Sequence, residues 1–206
     1  MFIERLKSKV KANEPIFTEE LIELFSDFSR AQVFRYINKA KENGDIIQYD
    51  KGIYFIPKKT PFGLSSISAD AIIRKKYLQN DNKVFGIYSG ITLLNYFSIT
   101  TQMAAVIEVV TNNESAKYRE VGIKNRKFIL RKARCTINNE NVNAYMILQL
   151  FSEIEEDEIS ATAKESILTY IKRNKVNIKQ ITDLSKYFPG KAIKNLLRSE
   201  IIYGIA

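Results

Sequence analysis

The chain has 206 residues, 45% of them hydrophobic and 27% charged, which is the composition of an ordinary globular protein and not of a disordered or membrane-spanning one. It contains no histidine, which excludes Ser-His and Cys-His catalytic pairs and removes the commonest zinc ligand. Its single cysteine, Cys135, cannot form an internal disulfide, as expected in a reducing compartment. Without a long apolar run or a secretory leader, the sequence predicts a cytoplasmic location.

The net charge of +9 favours a polyanionic partner, because each neutralised phosphate releases counterions and adds sequence-independent affinity. Residues 61–150 hold twelve Lys and Arg against six Asp and Glu, whereas residues 1–60 hold eleven against nine. The basic surface is therefore expected to extend beyond the first sixty residues.

The first sixty residues begin with the patterns of two short helices. Apolar residues four positions apart between Phe2 and Val10 predict the first helix, which ends before Pro15. Thr18 is expected to be the N-cap of the second helix, which ends near Ser26.

The third helix has the clearest boundaries. Ser29 and Gln32 form an S-x-x-Q capping box at its start, and Gly44 supplies the stop. At about 100° per residue, its apolar residues fall on one narrow face, namely Val33, Ile37 and Ala40. The opposite face is rich in hydrogen-bond donors.

Two β-rich runs, Ile46–Tyr49 and Ile53–Ile56, follow the third helix and flank the turn sequence Asp50-Lys51-Gly52. Three short helices followed by a hairpin is the order of a winged helix-turn-helix domain, in which the third helix enters the major groove and the hairpin tip is the wing. The alternative is a solvated helix face beside an ordinary hairpin, since many helices carry such charges.

The winged-helix interpretation assigns DNA contacts to residues in the first turns of the third helix and at the hairpin tip. A recognition helix directs its early side chains at base edges and phosphates, whereas Lys39 and Lys51 are better placed for phosphate. The candidate DNA-binding residues are Ser29, Arg30, Gln32, Arg35, Tyr36, Lys39 and Lys51.

The sequence predicts an α+β protein with a winged helix-turn-helix domain at 1–60, a linker at 61–67, and a mixed α/β domain at 68–206 with C-terminal helices. The linker is inferred from its Pro, Gly and Ser content. The elements expected in the second domain are helices capped by Ser68 and Ser89, a buried strand within 103–111, helices over 143–151 and 162–171 around the acidic run 153–158, and two short helices flanking Pro189-Gly190.

A second basic patch lies in the middle of the chain and consists of Lys124, Arg126, Lys127, Arg131, Lys132 and Arg134. One interpretation is an anion-binding site. The other is an edge strand whose charges protect it from pairing with another chain.

Glu108, Glu120 and Lys124 invite comparison with metal-dependent nucleases, which need closely grouped carboxylates and a lysine. Their spacing matches no such motif, and the chain has no G-x-x-x-x-G-K phosphate loop. We therefore expect no catalytic residues, no metal and no cofactor.

The sequence resembles the AbiEi-like antitoxins of type IV toxin-antitoxin systems and related transcriptional regulators, over roughly residues 1–150. In the first domain, the motif that carries the likeness comprises Ser29, Arg30, Val33, Ile37, Ala40, Gly44, Gly52, Tyr54 and Pro57. In the second domain, a weaker pattern comprises Ser89, Gly90, Thr92, Leu93 and Thr111.

The resemblance implies a winged helix that binds promoter DNA and represses its own operon, and a second domain that opposes a nucleotidyltransferase-like toxin without binding it stably. The alternative is a stand-alone repressor whose second domain senses a ligand or dimerises. Although helix-turn-helix proteins commonly use paired half-sites, the sequence does not fix an oligomeric state.

Overall fold

The computed structural model describes residues 2–154 and 159–204. The chain divides into two compact units, Met1–Lys75 and Lys76–Ala206. Each unit has its own helices and sheets, so the predicted α+β class is confirmed.

The first unit begins with a three-helix arrangement and a small antiparallel sheet. Its elements are α1 (Phe2–Lys9), β1 (Ile16–Phe17), α2 (Thr18–Leu24), α3 (Arg30–Glu42), β2 (Ile47–Asp50) and β3 (Ile53–Phe55). The strand order is β1-β3-β2, with β3 paired antiparallel to both neighbours. This order of helices and strands is that of a winged helix-turn-helix.

The predicted start of α3 is confirmed. The Ser29 N–H donates to Gln32 Oε1 at 3.0 Å, and the Gln32 N–H donates to Ser29 Oγ at 3.3 Å. The predicted apolar face is buried as well, since Val33, Ile37 and Ala40 are at most 2% exposed. They share one core with Leu6 of α1 and with residues of α2.

The prediction that Thr18 caps α2 is wrong, because Thr18 is the first helical residue. The Glu20 carboxylate instead accepts from the Phe17 N–H at 2.9 Å. Thr18 donates to the Gly52 carbonyl through its N–H at 3.0 Å and through Oγ1 at 3.2 Å. Gly52 has a φ of 73°, and a Cβ at that position would lie 3.1 Å from Thr18 Oγ1. The turn of the β2–β3 hairpin is therefore fixed against the start of α2.

Residues expected to form a linker lie within the first unit and partly form a hairpin. Its strands are β4 (Lys59–Thr60) and β5 (Gly63–Leu64). Pro, Gly and Ser are as typical of tight turns as of linkers, so composition alone does not distinguish the two. The predicted second-domain start at Ser68 also precedes the division after Lys75. Ser68 does cap a helix, α4 (Ala69–Ile73), which continues as a π-helical turn at Arg74–Leu78.

The second unit combines a four-stranded mixed sheet with helices. Its elements are β6 (Gln79–Asn80), β7 (Lys83–Val84), β8 (Gly86–Ser89), α5 (Gly90–Tyr96), β9 (Ile107–Thr111), β10 (Arg119–Ile123), β11 (Arg126–Lys132), α6 (Val142–Glu153), α7 (Ala161–Arg173), α8 (Ile178–Ser185), α9 (Gly190–Arg198) and a 3-10 turn (Ile201–Gly204). The sheet order is β10-β11-β9-β8, and only the β11–β9 pair is parallel.

Helix α6 is the centre of the second unit. It contacts β8, α5, α8 and α9, and all its residues from Ile147 to Phe151 are buried. The predicted C-terminal helices are confirmed. The expected strand within 103–111 is shorter than predicted and starts at Ile107, while residues 155–158 of the acidic run lie outside the described part of the chain. Among the described residues, no helix has the length and apolar character needed to cross a membrane.

Replacing Ile37 by alanine is expected to lower the free energy of unfolding by about 2–5 kcal/mol, because the change leaves a cavity where α3 meets the core. Urea unfolding followed by circular dichroism measures the change. The matched control is Asn38→Ala, on the exposed side of the same turn, which should stay within about 0.5 kcal/mol of the wild type. Equal losses in the two variants would contradict the described orientation of α3.

Candidate nucleic-acid interface

Helix α3 presents a continuous polar face on the side opposite its buried residues. Its exposed residues are Arg30, Ala31, Gln32, Phe34, Arg35, Asn38, Lys39 and Glu42. The helix has 13 residues, so it is about 20 Å long, which suffices to lie across a major groove.

Arg35 lies at the middle of this face. At about 100° per residue, Ala31, Asn38 and Glu42 lie beside Arg35, and Lys39 follows it one turn later. Arg30 lies on one flank, with its guanidinium 5.9 Å from the centre of the Phe34 ring. The face therefore combines guanidinium, amide and ammonium donors with one exposed aromatic ring.

Two predicted contact residues have other partners within the first unit. Tyr36 is half-buried: its ring stacks on Phe2 at 5.4 Å and meets the edge of Phe28 at 5.4 Å. Gln32 Oε1 accepts from the Ser29 backbone and hydroxyl, so its role in the helix cap takes up that oxygen. Both residues lie on the flank of α3 nearest α1 and α2.

Lys51 is exposed in the two-residue turn between β2 and β3, as predicted. Two contacts hold the turn. The Gly52 carbonyl accepts hydrogen bonds from Thr18, and the Lys51 N–H donates to Asp50 Oδ1 at 2.7 Å. Near the other end of β2, Lys41 Nζ donates to Gln48 Oε1 at 3.0 Å and so joins α3 to the hairpin. Helix α3 and the β2–β3 hairpin are thus connected through side chains as well as through the backbone.

Four residues on the exposed face are not among the predicted DNA-binding residues, namely Ala31, Phe34, Asn38 and Glu42. The same helical periodicity that selected Arg35 places Ala31, Asn38 and Glu42 beside it, whereas Phe34 lies on one flank of the face. Phe34 is the least expected of them, since it is 37% exposed on a helix whose other large apolar residues are buried. Selecting residues by their angle from the centre of the buried face, and not by their chemical type, would have identified them.

The second basic patch is not one site. Strand β11 lies between β10 and β9, so the edge-strand interpretation is wrong. Lys124, Arg126 and Lys127 lie at its start and Lys132 at its end, separated by about 20 Å at 3.3 Å per residue. Arg134 follows beyond Lys132.

Arg131 is neutralised locally. Its Nε donates to Glu108 Oε2 at 2.9 Å, and its guanidinium lies 5.5 Å from the centre of the Tyr118 ring. The start of β11 retains a different feature, a shallow cleft lined by residues 104–107 together with Asn125, Arg126, Lys127 and Phe128. The basic residues nearest to this cleft are therefore those of the β10–β11 turn and the start of β11.

The structure does not gather the three residues considered for a nuclease. Glu108 on β9 and Glu120 on β10 both pair with Ile129 of β11, which lies between them. Their backbones are therefore two strand spacings apart, about 10 Å. Glu108 pairs with Arg131, Glu120 accepts from the Tyr118 hydroxyl at 2.5 Å, and Lys124 lies in the β10–β11 turn.

A half-buried carboxyl group lies close to Glu108. Glu153, at the end of α6, accepts from the Gly90 N–H at 2.9 Å and from Gln149 Nε2 at 2.6 Å. Burial raises the pKa of Glu153 above its ordinary value, and the charge of Glu108 acts in the same direction. A Cβ on Gly90 would lie 3.1 Å from Glu108 Oε1, which gives the Ser89-Gly90 pattern a packing reason.

The last helices of the second unit, α8 and α9, share the element spacing of α2 and α3 in the first unit, which the sequence pattern had not indicated. Positions 160 residues apart correspond: Phe17 and Asn177 precede α2 and α8, and Arg30 and Gly190 start α3 and α9. In each turn a phenylalanine N–H, at Phe28 or Phe188, donates three residues back. The residue at the third helical position of each first helix, Glu20 in α2 and Gln180 in α8, accepts from the backbone N–H of the N-cap residue and was a signal in the sequence.

The two helix-turn-helix segments bury different faces. Asn195 of α9 corresponds to Arg35 of α3, yet Asn195 is buried and donates from Nδ2 to the Phe151 and Ile154 carbonyls at 3.3 and 2.9 Å. The α9 position equivalent to the middle of the polar face of α3 is therefore packed against the end of α6. Helix α3 follows α2 in the helix-turn-helix of the first unit, and its polar face around Arg35 is exposed.

No family model matches the chain, and no curated protein matches it either. The function proposed below therefore depends on the geometry of the described residues and on the sequence resemblance.

Proposed function

We propose that the chain is a cytoplasmic transcriptional regulator that binds double-stranded DNA through α3 and has no catalytic activity. The observation that supports this most directly is the open polar face around Arg35 on a helix whose opposite side is buried. A helix-turn-helix protein places this face in the major groove, where base edges present distinct donor and acceptor patterns.

The side chains on this face suit separate tasks in that groove. Arginine pairs with guanine O6 and N7, and asparagine with adenine N6 and N7, so Arg35 and Asn38 are the proposed base-reading residues. Phe34 offers an apolar surface to a thymine methyl group. Lys39, one turn along, and Lys51, at the wing tip, are proposed to contact phosphates. Tyr36 is not among the proposed base contacts, because its ring packs against Phe2 and Phe28.

The resemblance to AbiEi-like antitoxins extends the proposal to the second unit. The chain would repress its own operon through the first unit and oppose a nucleotidyltransferase-like toxin through the second. The competing proposal is a stand-alone repressor whose second unit senses a ligand or dimerises. The two differ in whether the second unit has a function of its own outside DNA binding.

Arg35→Ala is expected to weaken binding to a preferred duplex by about 1–3 kcal/mol while affecting a scrambled duplex less, because it removes a base contact. Lys51→Ala should weaken binding to both duplexes to a similar extent. The preferred duplex is selected from a random pool with the wild-type chain, and affinities are measured by gel-shift titration at fixed salt.

The matched control for Arg35→Ala is Arg173→Ala, an exposed arginine in the last turn of α7 that carries the same charge. It should leave the ratio of the two affinities unchanged. Equal losses on both duplexes for Arg35→Ala would count against base reading by α3.

Co-expression distinguishes the two proposals for the second unit. If the neighbouring gene encodes a nucleotidyltransferase-like toxin, this chain is expected to restore growth when that toxin is induced. The Arg35→Ala variant should restore growth equally, since the proposal separates DNA reading from toxin opposition. Loss of rescue with the wild-type chain would favour the stand-alone repressor.

A further inference from the structure

The hairpin of residues 58–65, which contains β4 and β5, carries the most exposed aromatic side chain in the described part of the protein. Phe62, at its tip, is fully exposed, and Leu64 on β5 is 58% exposed. The strands pair Lys59 with Leu64 and Thr60 with Gly63, and all four residues are exposed, so the hairpin buries little apolar surface of its own. Folding of the first unit therefore gives no packing reason for a phenylalanine at this position.

The tip is held in a defined conformation. Thr60 Oγ1 donates to the Gly63 carbonyl at 2.8 Å and accepts from the Phe62 N–H at 3.3 Å. Gly63 has a φ of 109°, a conformation that other residues adopt only with strain. Because the aromatic ring sits on an ordered turn, a partner that receives it avoids most of the cost of ordering the loop.

The base of the hairpin is anchored to the rest of the first unit. The Ser65 N–H donates to the Lys58 carbonyl at 2.9 Å, and the Lys58 N–H donates to Ser65 Oγ at 2.8 Å. The side chains of Ser65 and Asn13 are hydrogen-bonded to each other, and the Asn13 N–H donates to the Ile56 carbonyl at 2.9 Å. The hairpin is thus part of the same unit as the winged helix.

Charge indicates the kind of partner. Lys58 and Lys59 are exposed on the first arm of the hairpin, at its base, and the sequence contains no Asp or Glu between Lys51 and Ala69. Proteins that bend DNA combine cations on the phosphates with an apolar wedge, often Phe, Leu or Pro, between base steps in the minor groove. Pro61 and Phe62 at the tip, with two lysines at the base, match that combination.

We propose that this hairpin is a second DNA-contacting element, in which Phe62 enters the minor groove between two base pairs while Lys58 and Lys59 contact phosphates. This inference rests on the proposed function for its ligand, duplex DNA, but concerns a different site from α3. Its physical consequence is local unstacking and a kink in the bound DNA, which α3 alone does not require.

The test uses the full chain and the preferred duplex, labelled with 2-aminopurine at successive positions. The wild-type chain is expected to raise the fluorescence of the probe at one base step, where stacking is lost. Phe62→Ala should abolish that rise and weaken binding by roughly tenfold, since it removes the aromatic ring that becomes buried between base pairs in the proposed complex. The control is Met103→Ala, a residue 93% exposed in the second unit, which should behave as the wild type.

The lysines are tested through salt dependence. The double variant Lys58→Gln, Lys59→Gln should make the plot of log affinity against log salt shallower by about 2, because each phosphate contact contributes about 0.9. The control pair Lys172→Gln, Arg173→Gln removes the same charge from the exposed end of α7 and should leave the slope unchanged.

Arg35→Ala, measured in parallel, separates failure of this inference from failure of the proposed function. If Arg35→Ala loses specificity but Phe62→Ala retains both affinity and the fluorescence rise, the wedge is refuted while the α3 proposal stands. If Phe62→Ala changes the sedimentation mass and not the DNA signal, the hairpin is a protein contact and the wedge is again refuted. If the wild-type chain prefers no duplex, the proposed function itself fails.

Discussion

The burial of Val33, Ile37 and Ala40 against α1 and α2 determines what the first unit presents to solvent. Burial of these three residues fixes the rotation of α3 about its own axis. Once they are buried, Arg35 must face outward and Tyr36 must lie near α1 and α2, where Phe2 and Phe28 receive it. The polar face of α3 is therefore a consequence of core packing and is not set by the charged residues themselves.

Local features of the sequence predicted the first unit well because they are governed by neighbouring residues. The capping box at Ser29 and the apolar period of α3 depend on spacings of three and four residues. The same holds for the turn at Gly52. The placement of Tyr36 depended instead on Phe2, 34 positions away, and the hairpin at 58–65 depended on a hydrogen bond to Asn13. Contacts between residues so far apart in the sequence cannot be predicted from a short segment of it.

In the second unit as well, long-range packing determines features that the local sequence does not. The segments α2–α3 and α8–α9 follow similar local rules, yet α6 buries Asn195 of α9 at the position that corresponds to the exposed Arg35 of α3. Composition likewise located the basic patch around β11, but strand order distributed it over the length of the strand and paired Arg131 with Glu108. Charge along the sequence is thus a guide to partner class, while tertiary packing decides which charges act together.

The central claim is that α3 and the β2–β3 turn are the DNA-reading surface. Titration of the isotopically labelled chain with its preferred duplex, followed by amide chemical shifts in NMR, tests it residue by residue. The account predicts the largest changes between Arg30 and Lys39 and at Lys51 and Gly52. Changes confined to the second unit, with the amides of α3 unaffected, would contradict it.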